Sequence, residues 1–148
     1  MLTAGDVFVW RRFPDVRDVG SRIKDRWFIC LGFTTQIAPP VFVFLSTTTT
    51  QTRHYDRGGS RAGNIVLRFA AGEFGFPEDC LVDLSEPPYD YDIQLLAADD
   101  ISVEGRLDQN HLRRLYDCVL KSRVFPRKVK SDIHNSLNLA GITGLARP

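Results

Sequence analysis

Side chains able to grip or cleave a phosphate ester are concentrated in two stretches of this sequence. Arg11, Arg12, Arg17, Arg22 and Lys24 crowd one polar segment, with Trp10, Phe13 and Trp27 at its borders. Such a set can hold nucleic-acid phosphates by charge and a base by stacking. The same rings are also what a β-rich core needs, and Asp15, Asp18 and Asp25 offset part of the charge. The second stretch, Ser46-Thr47-Thr48-Thr49-Thr50, is an unbroken hydroxyl run. Its hydroxyls can donate to an anion or bond backbone and water at a strand edge. Which of them faces inward stays open, because a slip of one residue turns every side chain to the other side. His54, just beyond, is of the residue type that serves as a general base near neutral pH, but a turn histidine is the plainer reading.

Metal and redox chemistry find little support. Cys30, Cys80 and Cys118 are far apart and flanked by apolar residues, as small buried hydrophobes are, and His54, His111 and His134 have no ligand spacing with them. No metal and no cofactor is expected. The net charge of +1 does not mark the whole chain as a polyanion binder, yet the charge is uneven. From Gly105 to Pro148 there are nine Lys or Arg and three acids, a balance of +6, which leaves −5 for Met1 to Glu104. A basic end on a near-neutral chain fits either an acidic partner or solvated helix faces.

The elements that must position these groups can be read in outline. With 148 residues, 43% hydrophobic and 25% charged, the chain suits one folded domain. No apolar run reaches the roughly 18 residues that cross a bilayer, and the start lacks a signal-peptide pattern, so a cytoplasmic protein without a membrane span is expected. β-branched and aromatic residues predict strands at Asp6 to Trp10, Trp27 to Leu31, Val41 to Leu45, Asn64 to Phe69 and Cys80 to Leu84, with one more short strand between Ile93 and Val103. Arg11 to Asp25 reads as a long loop and Glu86 to Asp92 as irregular or edge-like. After Asp108, a plausible N-cap, Leu112, Leu115, Tyr116, Val119 and Leu120 recur at helical spacing. A second helix from Arg127 carries Val129, Ile133, Leu137 and Leu139 on one side and stops at Gly141. The expected class is mainly β with C-terminal helices (α+β), a single domain over 1–148 whose strands occupy 1–104 and whose helices occupy 105–148.

The order of these segments resembles the MazF/PemK toxins. The resemblance is carried by Gly5-Asp6-Val7-Phe8-Val9-Trp10, a long loop, then Arg26-Trp27-Phe28-Ile29-Cys30-Leu31. It continues through Phe42-Val43-Phe44-Leu45-Ser46-Thr47-Thr48, Gly75-Phe76-Pro77-Glu78-Asp79-Cys80-Leu81-Val82, and Gly105-Arg106-Leu107 before a helix. It implies a small SH3-like curled barrel of short antiparallel strands with two helices packed on it. It also implies metal-independent endoribonuclease activity, in which a ribose 2′-OH attacks the adjacent phosphorus of single-stranded RNA and leaves a cyclic phosphate. Arg26 would stabilise the phosphoryl oxygens, because guanidinium stays charged and can donate two parallel bonds. Thr47 or Thr48 would add a hydroxyl donor, and Arg11, Arg12, Arg22, Lys24 and Trp27 would bind RNA. The resemblance further implies a homodimer silenced by a cognate antitoxin protein.

Two departures set the rival expectation. Trp27 stands where the family has Pro after its Arg, and Arg127 to Pro148 extends past the family's usual length. The rival is a non-catalytic binding module that keeps the barrel and has lost cleavage geometry. A third reading is a nucleic-acid binder acting through the basic helices.

Overall fold

The computed structural model describes residues 1–14 and 23–148. Seven strands form one curled antiparallel sheet: β1 (Asp6–Phe13), β2 (Lys24–Phe33), β3 (Phe42–Thr49), β4 (Val66–Phe69), β5 (Cys80–Asp83), β6 (Tyr89–Asp92) and β7 (Ile101–Arg106). Their order is β4-β5-β3-β2-β1-β7, with β6 also pairing β3. Among the described residues three α-helices accompany the sheet: α1 (Ile93–Leu96), α2 (Gln109–Lys121) and α3 (Arg127–Leu139). The architecture is a mainly β, α+β half-barrel with two long helices, as the residue pattern predicts.

β3 produces the curl. One edge pairs β2 from Val43 to Thr47, while on the other edge Phe42 to Leu45 pairs β6 and Thr48 and Thr49 pair β5. Strand alternation then sends neighbouring residues to two different cores. On one face Val7, Ile29, Leu31 and Phe44 meet Leu112, Leu115, Tyr116, Val119, Ile133 and Leu137 of the long helices. On the other, Phe8, Trp10, Phe13, Phe28, Cys30, Val43, Leu45 and Tyr89 form an aromatic cluster. Its rings meet edge to face, Phe13 lying 4.9 Å from Phe28 and 4.8 Å from Trp10.

The strands reach further into the Arg11 to Asp25 segment than its polar composition suggests. β1 continues through Arg11 and Arg12 to Phe13, and β2 already begins at Lys24. The register shows the physical reason: Trp10 faces Arg26 and Phe13 faces Lys24, so β1 carries one residue more than its partner. This bulge, with Arg12 at φ 55, lets two consecutive arginines point to solvent and returns Phe13 to the aromatic core. The segment Tyr89–Asp92 pairs despite Pro87-Pro88, because the prolines lie before the strand and remove no ladder donor. Between Ile93 and Val103 the single expected strand is preceded by the one-turn α1, capped by the Asp92 carboxylate, which accepts from the Gln94 N–H at 2.8 Å.

The helices follow the periodicity. The Asp108 carboxylate accepts from the His111 N–H at 2.8 Å, a cap worth about 1 kcal/mol. That bond, with a second from the imidazole, holds the Asp108 carboxyl below its usual range. α3 is bolted to the β2 end: the Asp132 carboxylate accepts from the Thr35 N–H at 3.0 Å and hydroxyl at 2.7 Å, and the Phe33 N–H donates to Ser136 Oγ at 2.9 Å. Leu139, expected on the buried side, is 82% exposed at the helix end. A 3-10 turn at Glu73–Gly75 lies against β7, and there Gly75 and Gly105 face each other so closely that neither could carry a Cβ.

Candidate functional site

Strand alternation delivers Arg26 and Thr47 to one place. Arg26 continues the β2 face that buries Phe28 and Cys30, and Thr47 continues the β3 face that buries Val43 and Leu45. Phe28 and Thr47 are cross-strand partners, so Arg26 reaches over the last aromatic ring to the β3 end. Its Nη2 donates to Thr47 Oγ1 at 3.2 Å. Thr48 follows at the strand end, and its hydroxyl donates to the Trp27 carbonyl at 3.3 Å. Thr47 Oγ1 also lies 3.4 Å from that carbonyl.

These groups line a cleft of about 380 Å3 with Ser46, Thr49, Tyr55, Arg61, Asp83, Glu86 and Tyr89. The back wall is a connected polar network. Asp83, 7% exposed, accepts from the Tyr55 hydroxyl at 2.9 Å, from Asn64 Nδ2 at 2.8 Å and from the Ser85 N–H at 2.9 Å. Arg61 Nη1 donates to the Tyr55 oxygen at 3.1 Å and stands 3.8 Å from Glu86. With its lone pairs so engaged, Asp83 orients its neighbours. Without that carboxylate, Tyr55 and Asn64 would each lose a partner, at about 1–3 kcal/mol per stranded group.

The electrostatics assign further roles. Burial pushes the Tyr55 phenol up, opposed by the Arg61 hydrogen bond and reinforced by Asp83, so Tyr55 stays protonated at neutral pH and serves as a donor. The Tyr55 hydrogen bond holds the Arg61 guanidinium above its ordinary value. Glu86 is the carboxylate open to solvent, its side chain 53% exposed and its partner at the loose end of ion-pair range. The cleft thus offers two guanidiniums, several hydroxyl donors and one accessible carboxylate. That is a set able to orient a phosphate diester and accept a proton beside it.

The other residues singled out in the sequence lie elsewhere. Arg11 pairs with Asp100 at 3.4 Å, the Arg12 N–H donates to Asp25 at 2.9 Å, and Lys24 is exposed opposite Phe13. They share the bulged end of β1 and β2 and do not line the cleft. Arg22 lies outside the described residues. Trp27 is half-buried, its ring 6.1 Å from Phe76 at the margin of the helix-side core. His54 lines a smaller neighbouring recess with Thr49, Tyr55 and Arg61. Burial pushes the Cys30 and Cys80 thiols up, Cys80 to about 12, which leaves them as core atoms.

Tyr55, Arg61, Asp83 and Glu86 went unrecognised in the sequence. One signal was present: Asp83 interrupts the apolar run Cys80 to Leu84, and a carboxylate in a buried strand needs donors. An apolar groove of about 490 Å3, bordered by Leu2, Val43, Leu96 and Ile101, shares no residue with the cleft. Among the described residues no group of three His, Cys, Asp or Glu converges as a metal-ligand set, and no helix is long and apolar enough to cross a membrane. No protein-family model matches the chain, and no curated protein matches it.

Proposed function

We propose that the chain is a metal-independent endoribonuclease of the MazF/PemK kind, cleaving single-stranded RNA by 2′-OH attack. The observation that carries this reading is the shared cleft, in which Arg26 donates to Thr47 with Thr48, Arg61 and Glu86 around them. In the proposed step the 2′ oxygen bonds to phosphorus as its proton passes to Glu86. The P–O5′ bond breaks, the 5′ oxygen leaves with a proton from solvent, and a 2′,3′-cyclic phosphate remains. Arg26 and Arg61 stabilise the charge gathering on the non-bridging oxygens, the kind of preorganised donor that usually contributes most to such a reaction. A second copy of the chain and an antitoxin protein are the further partners this reading proposes, in the cytoplasm.

The rival reading, a non-catalytic binding module, is favoured by two observations. Asp83 and Glu86 balance the two guanidiniums in charge, and Trp27 occupies the position after Arg26. Incubation of the purified protein with a mixed single-stranded RNA pool in EDTA separates the two. The nuclease should yield fragments ending in cyclic phosphate, and replacing the 2′-OH at a cut position by hydrogen should abolish that cut. An intact pool would leave the binding module standing.

A further inference from the structure

The cleavage cleft has a balance of charge that orients a phosphate but offers little net attraction to a polyanion. The chain's positive excess is gathered elsewhere. A groove of about 720 Å3 opens where α2 ends and α3 begins, lined by Lys121, Arg123, Arg127, Lys130 and Arg147 above Leu120 and Phe125. No acidic side chain lines it, and among the described residues none of the five cations takes part in a salt bridge. Lys130 Nζ donates to the Leu120 carbonyl at 2.8 Å and Arg127 reaches the Pro148 carbonyl at 3.5 Å, contacts that hold the two helices and the last residues together. The side chains of Lys121, Arg123 and Arg147 make no hydrogen bond among the described residues. Gathering like charges in one hollow without counter-ions opposes folding, and an anion seated there removes that cost.

We propose that this groove binds the sugar-phosphate backbone of single-stranded RNA outside the cleavage cleft, an inference that rests on the RNA reading above. Guanidiniums suit phosphate because their fork donates two parallel bonds. Phe125, 4% exposed, has no free face for a base, so the groove reads charge and carries no sequence preference. Its contribution is affinity and capture, while the choice of cleavage site stays with the cleft.

The test uses the full chain and a fluorescent 2′-O-methyl oligonucleotide, which binds but cannot be cut by 2′-OH attack. The triple substitution Lys121→Gln, Arg123→Gln, Arg147→Gln should flatten the plot of log affinity against log salt by about 2, three contacts at about 0.7 each for single strands. The change should be alike for oligonucleotides of different sequence, and kcat at saturating RNA should hold. A charge-matched control, Arg53→Gln, Arg57→Gln, Arg114→Gln, should leave the slope in place. An unchanged slope in the groove variant, or an equal fall in the control, overturns the proposal. So does loss of polyglutamate binding with RNA binding intact, which would assign the groove to an acidic protein. A flattened slope in a protein that never cuts RNA would instead sink the nuclease reading and leave the groove as an RNA site.

Discussion

Replacing Arg26 by alanine should lower RNA cleavage by about a hundredfold or more, the usual loss for one preorganised charge-stabilising donor. On the proposed reading the fall should appear in kcat, because the guanidinium would act on charge that gathers only as the 2′ oxygen attacks. Arg26→Lys should recover part of the rate, since it restores the charge without the fork. The double change Thr47→Ala, Thr48→Ala should cost less than Arg26→Ala, because a neutral hydroxyl binds an anion more weakly than guanidinium does. Arg26 is half-buried at the strand end, outside the packed aromatic cluster, so thermal unfolding should move little. Single-turnover cleavage across the series is the measurement. Full-rate cleavage by Arg26→Ala would remove the arginine from the reaction.

The largest stability effect is expected far from the cleft, at Gly105. A Cβ there would press into the carbonyl of Phe74, and one on Gly75 would press into the carbonyl of Glu104. Both obstacles are backbone, which cannot rotate away as a side chain would. Gly75 also holds φ 86, a conformation that other L residues avoid. Gly105→Ala should therefore destabilise by about 3 kcal/mol, the upper end for overpacking, and lower Tm by about 10 °C for a chain of this length. Gly63 is the matched control: nothing lies within 4 Å of its would-be Cβ, and Gly63→Ala should leave Tm unchanged or slightly raised. Equal melting of the two variants would contradict the close approach.

The parts of the fold legible in the sequence are those set by local pattern. Asp108 and the recurrence of Leu112, Leu115, Tyr116 and Val119 place α2 within a residue of its ends, since capping and periodicity are local properties. Trp27 to Leu31 reads as a strand buried on both faces, and alternate residues do enter the two cores. The extent of the first loop was not legible, because a bulge at Arg12 is fixed by pairing with a strand remote in sequence. The site divides in the same way. Arg26 and the threonines stand at strand ends that any antiparallel pairing brings close. Arg61 and Glu86 reach the cleft from irregular segments, whose paths depend on the buried hydrogen bonds to Asp83 and Tyr55.

The division of β1, β2 and β3 between two cores has a consequence for how the molecule comes apart. Val7 and Phe8, Ile29 and Phe28, Phe44 and Val43 are chain neighbours that serve opposite sides of the same backbone. Loosening the helices from one side would free the strands whose other side holds the aromatic cluster. Neither core can melt while the other stays solid, and unfolding is bound into a single cooperative event. Trp10 on one side and Trp27 on the other are thus two fluorescent witnesses to the same transition.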